Sequence, residues 1–513
     1  MHSAPDLPDD IETLKRLLVE ERAARRVDQA EIQSLKLQLA YLKRQQYGRS
    51  SEQLSEKIGQ LELTLEDLEA AATTSTVPTS EPTVIERSGR RPLPEDLPRE
   101  IVVHPPVMRD TCSCPTCGGV MKALGEDVSE MLEYIPSRFK VVRHVRPKLA
   151  CTRCDKIVQA AAPSRPIARG LAGPGLLAHV LVSKYADHLP LYRQSQIFAR
   201  SGIDLDRSTL ADWVGGAHEL LAPLVDALAE HVRAGTHLHA DDTPYPVLAP
   251  GTGKTKIARI WTYVRDERSW GSQVPAAVLF RYTPDRKGIH PRTHLSQFAG
   301  ALHADGYAGF DRLFQSGRIR EIACWAHARR KFFDLYEATQ SPIAKEALDR
   351  INALYGIESE IRGKPPDERR AVRQARAGPL LEDLRSWLLS TARRLSKKSD
   401  AAVAIRYTLS RWEALCRYRD DGCAELDNNA AERALRTIAL GRKNHLFAGA
   451  DTGGERAAGI YSLIGTAKLN GIEPQGYLRH VLERIAEHPI NRIEELLPWT
   501  VSAVLTGRTQ LAA

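Results

Sequence analysis

The sequence predicts a multidomain α/β protein, and three observations carry that reading. The chain has 513 residues, enough for three or four domains at roughly 150 residues each. Short β-branched and aromatic runs separated by Pro/Gly turns occupy the middle, between stretches with helical periodicity. Apolar residues make up 42% and charged residues 27%, which supports a sizeable core and excludes collagen-like, wholly disordered and disulfide-dense chains. No run of about 18 apolar residues occurs, so no membrane span is expected. The N-terminal MHSAPDLPDDIETLKRLL has no apolar signal region. A net charge of +8 leans weakly toward acidic partners such as nucleic acid.

Near the N-terminus, Ile11, Leu14, Leu18, Ile32, Leu35, Leu39 and Leu42 follow a heptad seam. Glu21, Arg25 and Asp28 interrupt it, and a second block runs through Leu54, Ile58, Leu61, Leu65 and Leu68. An oligomerising coiled coil over 1–70 is expected, beside the plainer reading of one amphipathic helix folded on the body. Residues 71–98, rich in Thr, Ser and Pro, form a linker. The RSGRR within it suits phosphate contact or a solvated charge run equally.

Five of the eight cysteines fall between Cys112 and Cys154. Cys114 and Cys117 form one C-x-x-C, and Cys151 and Cys154 a second. Two such knuckles around a segment of β-type alternation give four thiolates for a closed structural Zn²⁺ site, in a ribbon over 99–162. Cys112 is a surplus thiol that has a poorer spacing than Cys114.

From 163 to 230 the pattern is helical. PLYRQSQIFARSG followed by IDLDRSTLADWV reads as helix, turn and second helix, with Asp or Ser as the cap. In a helix-turn-helix, Arg207, Ser208 and Thr209 would begin the recognition helix and reach base edges or phosphates. Ordinary helical domains contain similar pairs.

The segments THLHADDTPYPVL, KIARIWTYVRD and AAVLFRYTPD predict an antiparallel meander. APGTGKTK between the first two is not a P-loop: the position needing glycine is Leu248. It is a hairpin turn. Asp241 ends the first strand in a His-Ala-Asp triplet, and Asp305 ends a later strand in another. In ELDNNAAERALR, Asp427 is positioned to cap a helix that carries Glu432 on its second turn. Three carboxylates from two strand ends and a helix can hold two hard divalent cations, which suit in-line phosphoryl displacement. Such placement is that of an RNase H-like sheet.

Glu432 lies 127 positions after Asp305, more than such a sheet needs, and the excess reads as a helical insertion. Cys324 and His327, spaced C-x-x-H, are too few for a metal site and no partner pair is evident. Phosphate contact or orientation of the site suits them better, beside an ordinary buried Cys and His. Arg329, Arg330 and Lys331 follow them and suit DNA phosphate. Arg442 and Lys443 lie in a Gly-rich basic stretch that suits a loop against DNA. Arg436, one turn from Glu432, is expected to pair with it, beside the reading in which it contacts a phosphate near the metals. The final stretch, from LNGIEPQGYL to EELLPW, reads as two short amphipathic helices.

QQYGRSSEQL, CPTCGG…CTRC, KYADHLPLYRQSQIFARSGIDLDRSTLADWV, LHADDTPYPVL, ALHADGYAGF, CWAHARRKF, DNNAAERALRTIALGRKNHLFAG and NGIEPQGYLRHVL, in this order and spanning almost the whole chain, resemble the transposase of the insertion-sequence 66 family. The resemblance implies a DDE transposase with an RNase H-like core and a helical insertion, needing Mg²⁺ or Mn²⁺ (two ions) besides structural Zn²⁺. Carried over by motif, its catalytic and metal-holding residues are Asp241, Asp305 and Glu432. Where the family usually has His-Ala-Asp-Glu-Thr, this chain has Asp242 in place of the glutamate, which leaves the role of Asp242 open. The expected partition is 1–70 coiled coil, 71–98 linker, 99–162 zinc ribbon, 163–230 helix-turn-helix-like DNA-binding domain, 231–325 core, 326–424 insertion, 425–465 second core part with Glu432, and 466–513 C-terminal helices. The implied partners are double-stranded DNA (element ends and target), further copies of the chain as a dimer or larger homo-oligomer, and accessory proteins of the same element. A cytoplasmic, nucleoid-associated location in a bacterium is implied. A structure-specific nuclease on the same sheet, or a DNA-binding regulator that has lost catalysis, are the competing readings.

Overall fold

A computed structural model describes residues 98–105, 116–117, 120–135, 138–167, 170–249, 254–445 and 447–511. The expected coiled coil, all of the linker except its last residue, and Cys112 and Cys114 lie outside the described residues. The architecture is mixed α/β.

The first sheet holds β1 (Arg99–Val103), β2 (Met121–Ile135), β3 (Arg138–Cys151) and β4 (Ile157–Gln159). β2 and β3 form a long antiparallel hairpin running from Ile135↔Arg138 to Met121↔Cys151, with β1 parallel to β3. Alternation along RFKVVRHVRPKLAC drives Phe139 and Val141 into the main core, together with Leu132 from β2. At the far end of the hairpin Met121 and Cys151 make a small separate core.

Three helices follow: α1 (Pro174–Tyr185), α2 (Leu191–Arg200) and α3 (Arg207–Arg233). Proline opens α1, where its missing N–H costs nothing. The buried carboxylate of Glu133 on β2 accepts the N–H groups of Gly175 and Leu176 at 3.1 and 2.7 Å. The ribbon sheet thus caps the next helix and sits at its positive end. α3 buries Leu210, Val214, Ala217, Leu221, Leu224, Leu228 and Val232, a 3–4 stripe. That stripe belongs to the same core as the second sheet. Asp206 is at the cap position of α3 but makes no side-chain cap bond.

The second sheet has the order β7-β6-β5-β8-β9, with β5 (His237–Ala249), β6 (Lys254–Arg265), β7 (Ala277–Thr283), β8 (Gly300–Ala304) and β9 (Ile319–Ala323). The meander β5–β6–β7 is antiparallel, and Ala249 pairs with Lys254 across the hairpin. β8 joins β5 in parallel, and β9 joins β8 in parallel.

Between β9 and Asn428 the chain builds a helical body with its own core: α4 (Trp325–Thr339), α5 (Pro342–Ile361), α6 (Pro366–Val372), α7 (Gly378–Arg394) and α8 (Asp400–Ser410). Arg373 is fully buried. It grips Glu358 on α5 at 2.7 and 2.6 Å and the carbonyls of Tyr418, Asp421 and Ala424 at 3.0, 2.9 and 2.9 Å. Arg369 holds Glu425 at 2.8 Å. The two guanidinium groups therefore fasten the end of the insertion to its middle.

The chain then returns as α9 (Asn429–Gly441) and α10 (Asp451–Leu469). Phe280 and Val278 on the edge strand β7 donate their N–H groups to Ser462 and Thr466 of α10 at 2.8 and 3.1 Å, so the helix protects that edge. The expected pair of C-terminal helices is corrected: α11 (Pro474–Leu482) forms, but Ile490–Leu496 is a 3₁₀ stretch broken at Arg492, and a helix resumes only at Pro498.

Arg373→Ala leaves Glu358 and three carbonyls short of a buried donor. Urea unfolding should show a loss of about 3–5 kcal/mol in the helical body, and Arg373→Lys should recover less than half, because one ammonium cannot span the five contacts.

Candidate active site and zinc knuckle

The two His-Ala-Asp triplets meet in register. His239 on β5 pairs with His303 on β8, so Asp241 and Asp305 each stand two residues beyond a paired histidine on neighbouring parallel strands. The imidazoles stack with centroids 4.1 Å apart. Nδ1–H of His303 donates to the Leu238 carbonyl (3.0 Å), while its Nε2 accepts the Glu425 N–H (2.8 Å). Burial holds both histidines below their ordinary value, so they form a neutral, hydrogen-bonded floor.

Asn428 brings in the third carboxylate. It is fully buried; its Nδ2 donates to the Ala240 carbonyl at 2.8 Å, and its Oδ1 accepts from His239 Nδ1 at 3.1 Å. Its N–H donates to the Cys324 sulfur at 3.2 Å. One side chain thus ties β5, at the residue before Asp241, to the start of α9, whose first turn carries Glu432. Asn428, not Asp427, is the cap residue of α9. The Asp427 carboxylate accepts the Asn429 N–H one step earlier, at 3.1 Å, which corrects the expected cap by one position.

The insertion also reaches the site. Tyr407 on α8 donates its hydroxyl to the Asp305 carbonyl at 3.1 Å, and Arg411 donates to the Gly306 carbonyl at 2.9 Å. Gly306 has φ of +91°, and a Cβ there would lie 2.4 Å from the Arg411 guanidinium carbon. Only glycine permits that close approach.

Burial is the largest reason that the Asp241 carboxyl is pushed up to about 7; the N–H of Asp242 opposes this, while the Asp305, Asp242 and Glu432 carboxylates add to it. A buried acid raised by like charges is what a divalent cation relieves, so the donor set fits hard metal ions. Asp242 differs from its neighbour: its side chain is 1% exposed and is ion-paired with Arg286 at 2.8 Å and Arg259 at 3.1 Å. Arg286 stacks on Tyr307 at 4.0 Å. Burial raises the Asp242 carboxyl too, but the Arg286 and Arg259 guanidinium groups oppose it, whereas Asp241 has no cation set against it.

Glu432 Oε2 faces Arg330 at 3.5 Å, and Oε1 faces His327 Nδ1 at 3.8 Å. The expected pairing with Arg436 is not formed; α9 turns that side chain to the exposed surface. Among the described residues, donor atoms gather within 4.8 Å of one another in two groups, Cys117/Cys151/Cys154 and Cys324/His327/Glu432. Asp241, Asp305 and Glu432 are a looser set. Glu432, 105 positions beyond His327, brings one further donor atom beside Cys324 and His327.

Comparison with known proteins places this arrangement. "Transposase IS66 family" matches residues 169–456, more than half of the chain. The chain belongs to the IS66 transposase family. Further matches are "IS66 C-terminal element" over 462–499, "zinc-finger binding domain of transposase IS66" over 111–155, and "Transposase C of IS166 homeodomain" over 34–102. Two similar relatives are uncharacterised proteins of Sinorhizobium fredii. One, y4hP, is 42% identical, covering 94% of this chain and 91% of its own length. The other, y4jD, is 38% identical and covers 98% of each chain.

The zinc-finger match supports structural zinc in this IS66 protein. Cys117 Sγ lies 3.4 Å from Cys151 Sγ and 3.3 Å from Cys154 Sγ. Burial raises the Cys151 thiol, but the Arg153 and Cys154 N–H groups and the neighbouring thiols outweigh it and hold the thiol below its usual value. Cys114 lies outside the described residues.

The residues expected at DNA are dispersed. Arg207, Ser208 and Thr209 are half-buried in the first turn of α3. Arg329 stacks on exposed Phe333 and donates to Asn352, while Lys331 lies 4.5 Å over the ring of Tyr407. Arg442 donates to the Pro244 carbonyl on β5 at 2.6 Å, and Lys443 is exposed. No helix among the described residues is long and apolar enough to cross a membrane. Sequence reasoning missed Asn428, Tyr407 and Arg411. The doubled Asn in DNNAAER was the one local signal, since a buried amide beside a helix start points to a tether.

Asp241→Asn should stabilise the cation-free protein at pH 8 by on the order of 2–4 kcal/mol in thermal unfolding. Wild type, with its folded-state value raised, keeps that stability at low pH and loses it as pH climbs from 4 through 7. The variant's advantage should therefore vanish toward pH 4. Stripping zinc with a strong chelator should abolish hydrogen-exchange protection near Cys117 and Cys151 while the five-stranded sheet stays protected, because Met121 and Cys151 are nearly all that is buried at that end.

Proposed function

We propose that this IS66-family chain is a DDE-type transposase that binds the ends of its element, cleaves the DNA strands there and transfers them to a target. The observation that carries the reading is the convergence of Asp241, Asp305 and Glu432. Two come from matched triplets on adjacent parallel strands, and the third comes through the Asn428 tether. A mixed five-stranded sheet with Asp241 on its central strand supports an RNase H-like core.

Asp241, Asp305 and Glu432 would hold two Mg²⁺ or Mn²⁺ ions. When bound, such ions activate the attacking oxygen and stabilise the leaving one. The chain's own groups do the positioning. The neutral His239–His303 floor and Asn428 keep Asp241 facing Asp305. Tyr407 and Arg411 fix the loop that follows Asp305. Of the basic run on α4, Arg330 faces Glu432; it, Arg329 and Lys331 suit the DNA backbone, as do Arg442 and Lys443. Arg207, Ser208 and Thr209, with the zinc ribbon, are assigned to the element ends. The N-terminal region joins protomers, since two ends must be handled together.

The test is nicking of labelled DNA from the gene's own flanks, with and without accessory proteins of the element. Mg²⁺-dependent release of a 3′-hydroxyl at an inverted repeat is expected. Asp305→Ala and Glu432→Gln should each lower it at least about a thousandfold, about 4 kcal/mol of barrier, with DNA binding retained. Cleavage without strand transfer would favour a nuclease on the same sheet; binding alone by wild type would favour a regulator.

A further inference from the structure

Cys324 occupies the cap position of α4, and His327 lies one turn along the same helix. The first turn of α9 brings Glu432 against them, so a thiol, an imidazole and a carboxylate from two elements gather their donor atoms within 4.8 Å of one another. The distance between His327 Nδ1 and Glu432 Oε1, 3.8 Å, is too long for a hydrogen bond. Both atoms are buried, and neither has a hydrogen-bond partner. Buried polar atoms facing each other without a bond need an explanation. A nitrogen and an oxygen ligand of one tetrahedral zinc ion, each about 2.0–2.2 Å from it, lie about 3.3–3.6 Å apart, so the two atoms need close by only a few tenths of an ångström to share one. Arg330 approaches only the other oxygen, Oε2. The Asn428 N–H directed at the Cys324 sulfur supplies the amide-to-sulfur bond that orients a metal-binding thiolate.

We propose that Cys324, His327 and Glu432 form a second transition-metal site, separate from the ribbon, and that Zn²⁺ bound there withdraws Glu432 from the carboxylate centre. Sulfur and nitrogen donors select Zn²⁺ over Mg²⁺. With three protein ligands the site keeps one position open. The binding half stands independently of the catalytic reading; the inhibitory consequence rests on Glu432 serving the carboxylate centre.

The experiment uses the full-length protein equilibrated with buffered free Zn²⁺ at levels that saturate the ribbon. Bound metal is counted by mass spectrometry for wild type, Cys324→Ser and His327→Gln. Each variant should hold one zinc ion per chain fewer than wild type. After replacement with Co²⁺, part of the thiolate-to-metal absorption should be missing from Cys324→Ser. Equal zinc content in all three proteins overturns the site. Should Cys324→Ser fail to fold by circular dichroism, His327→Gln decides the matter, since its imidazole is partly exposed. The second arm adds Zn²⁺ to nicking reactions at fixed Mg²⁺. Wild type should slow at least about tenfold more than Cys324→Ser, each measured against its own zinc-free rate. Wild type that nicks DNA, binds the extra zinc and is not slowed overturns the inhibitory half. Wild type that binds the extra zinc and never nicks overturns the catalytic reading and leaves the site standing.

Discussion

The Asn428 amide is the contact on which the rest of the candidate site depends. Glu432 is separated from Asp305 by a helical body, so local geometry cannot set its position. The fully buried side-chain amide of Asn428, bonded to Ala240 and His239, does so together with the Asn428 backbone N–H, bonded to the Cys324 sulfur. It is costly to leave any of those groups unpaired away from water. The register of α9 against β5 therefore has one good solution. A helix shift of a single residue would orphan a donor and an acceptor and would rotate Glu432 by about 100°.

The insertion works toward the same end. Arg369 and Arg373 close it upon itself, and the segment they clamp, 418–425, leads straight into Asp427 and Asn428. Arg373 matches all five of its guanidinium donors, as a charge buried this deeply requires, and so makes the exit of the insertion a rigid piece, while Nε and Nη1 of Arg369 have no hydrogen-bond partner. Tyr407 and Arg411 reach the opposite side, at the backbone after Asp305. The helical body thus holds both the Asp305 loop and the approach to Glu432.

Much of this was legible in the sequence, for identifiable reasons. The two His-Ala-Asp triplets predicted neighbouring carboxylates because strand periodicity carries a register match at the histidines over to the aspartates. The paired C-x-x-C motifs were legible because metal ligation imposes a local spacing. The insertion showed itself as surplus length. Arg373, Tyr407 and Arg411 were not legible, since each makes contacts across 45 to 105 positions that have no local signature, and for Asn428, bonded across 189 positions, the doubled Asn was the one local signal. The Arg436 expectation failed for a related reason: helical spacing predicts a neighbour on α9, but Arg330 and His327 approach from α4 and lie closer to the carboxylate.

Asp241 and Asp242 illustrate how adjacent residues of like charge acquire opposite environments. Strand alternation sends them to different faces. One meets Arg259 and Arg286; the other meets Asp305 and Glu432. The short Asp242 side chain reaches both guanidinium groups. That pairing removes the nearest competitor for a cation and leaves Asp241 as the acid whose charge is uncompensated. Glu432 stands between the two conditions. It has Arg330 on one oxygen and an unbonded His327 on the other, so its partner is decided by which cation arrives, a hard one beside the aspartates or a soft one beside Cys324.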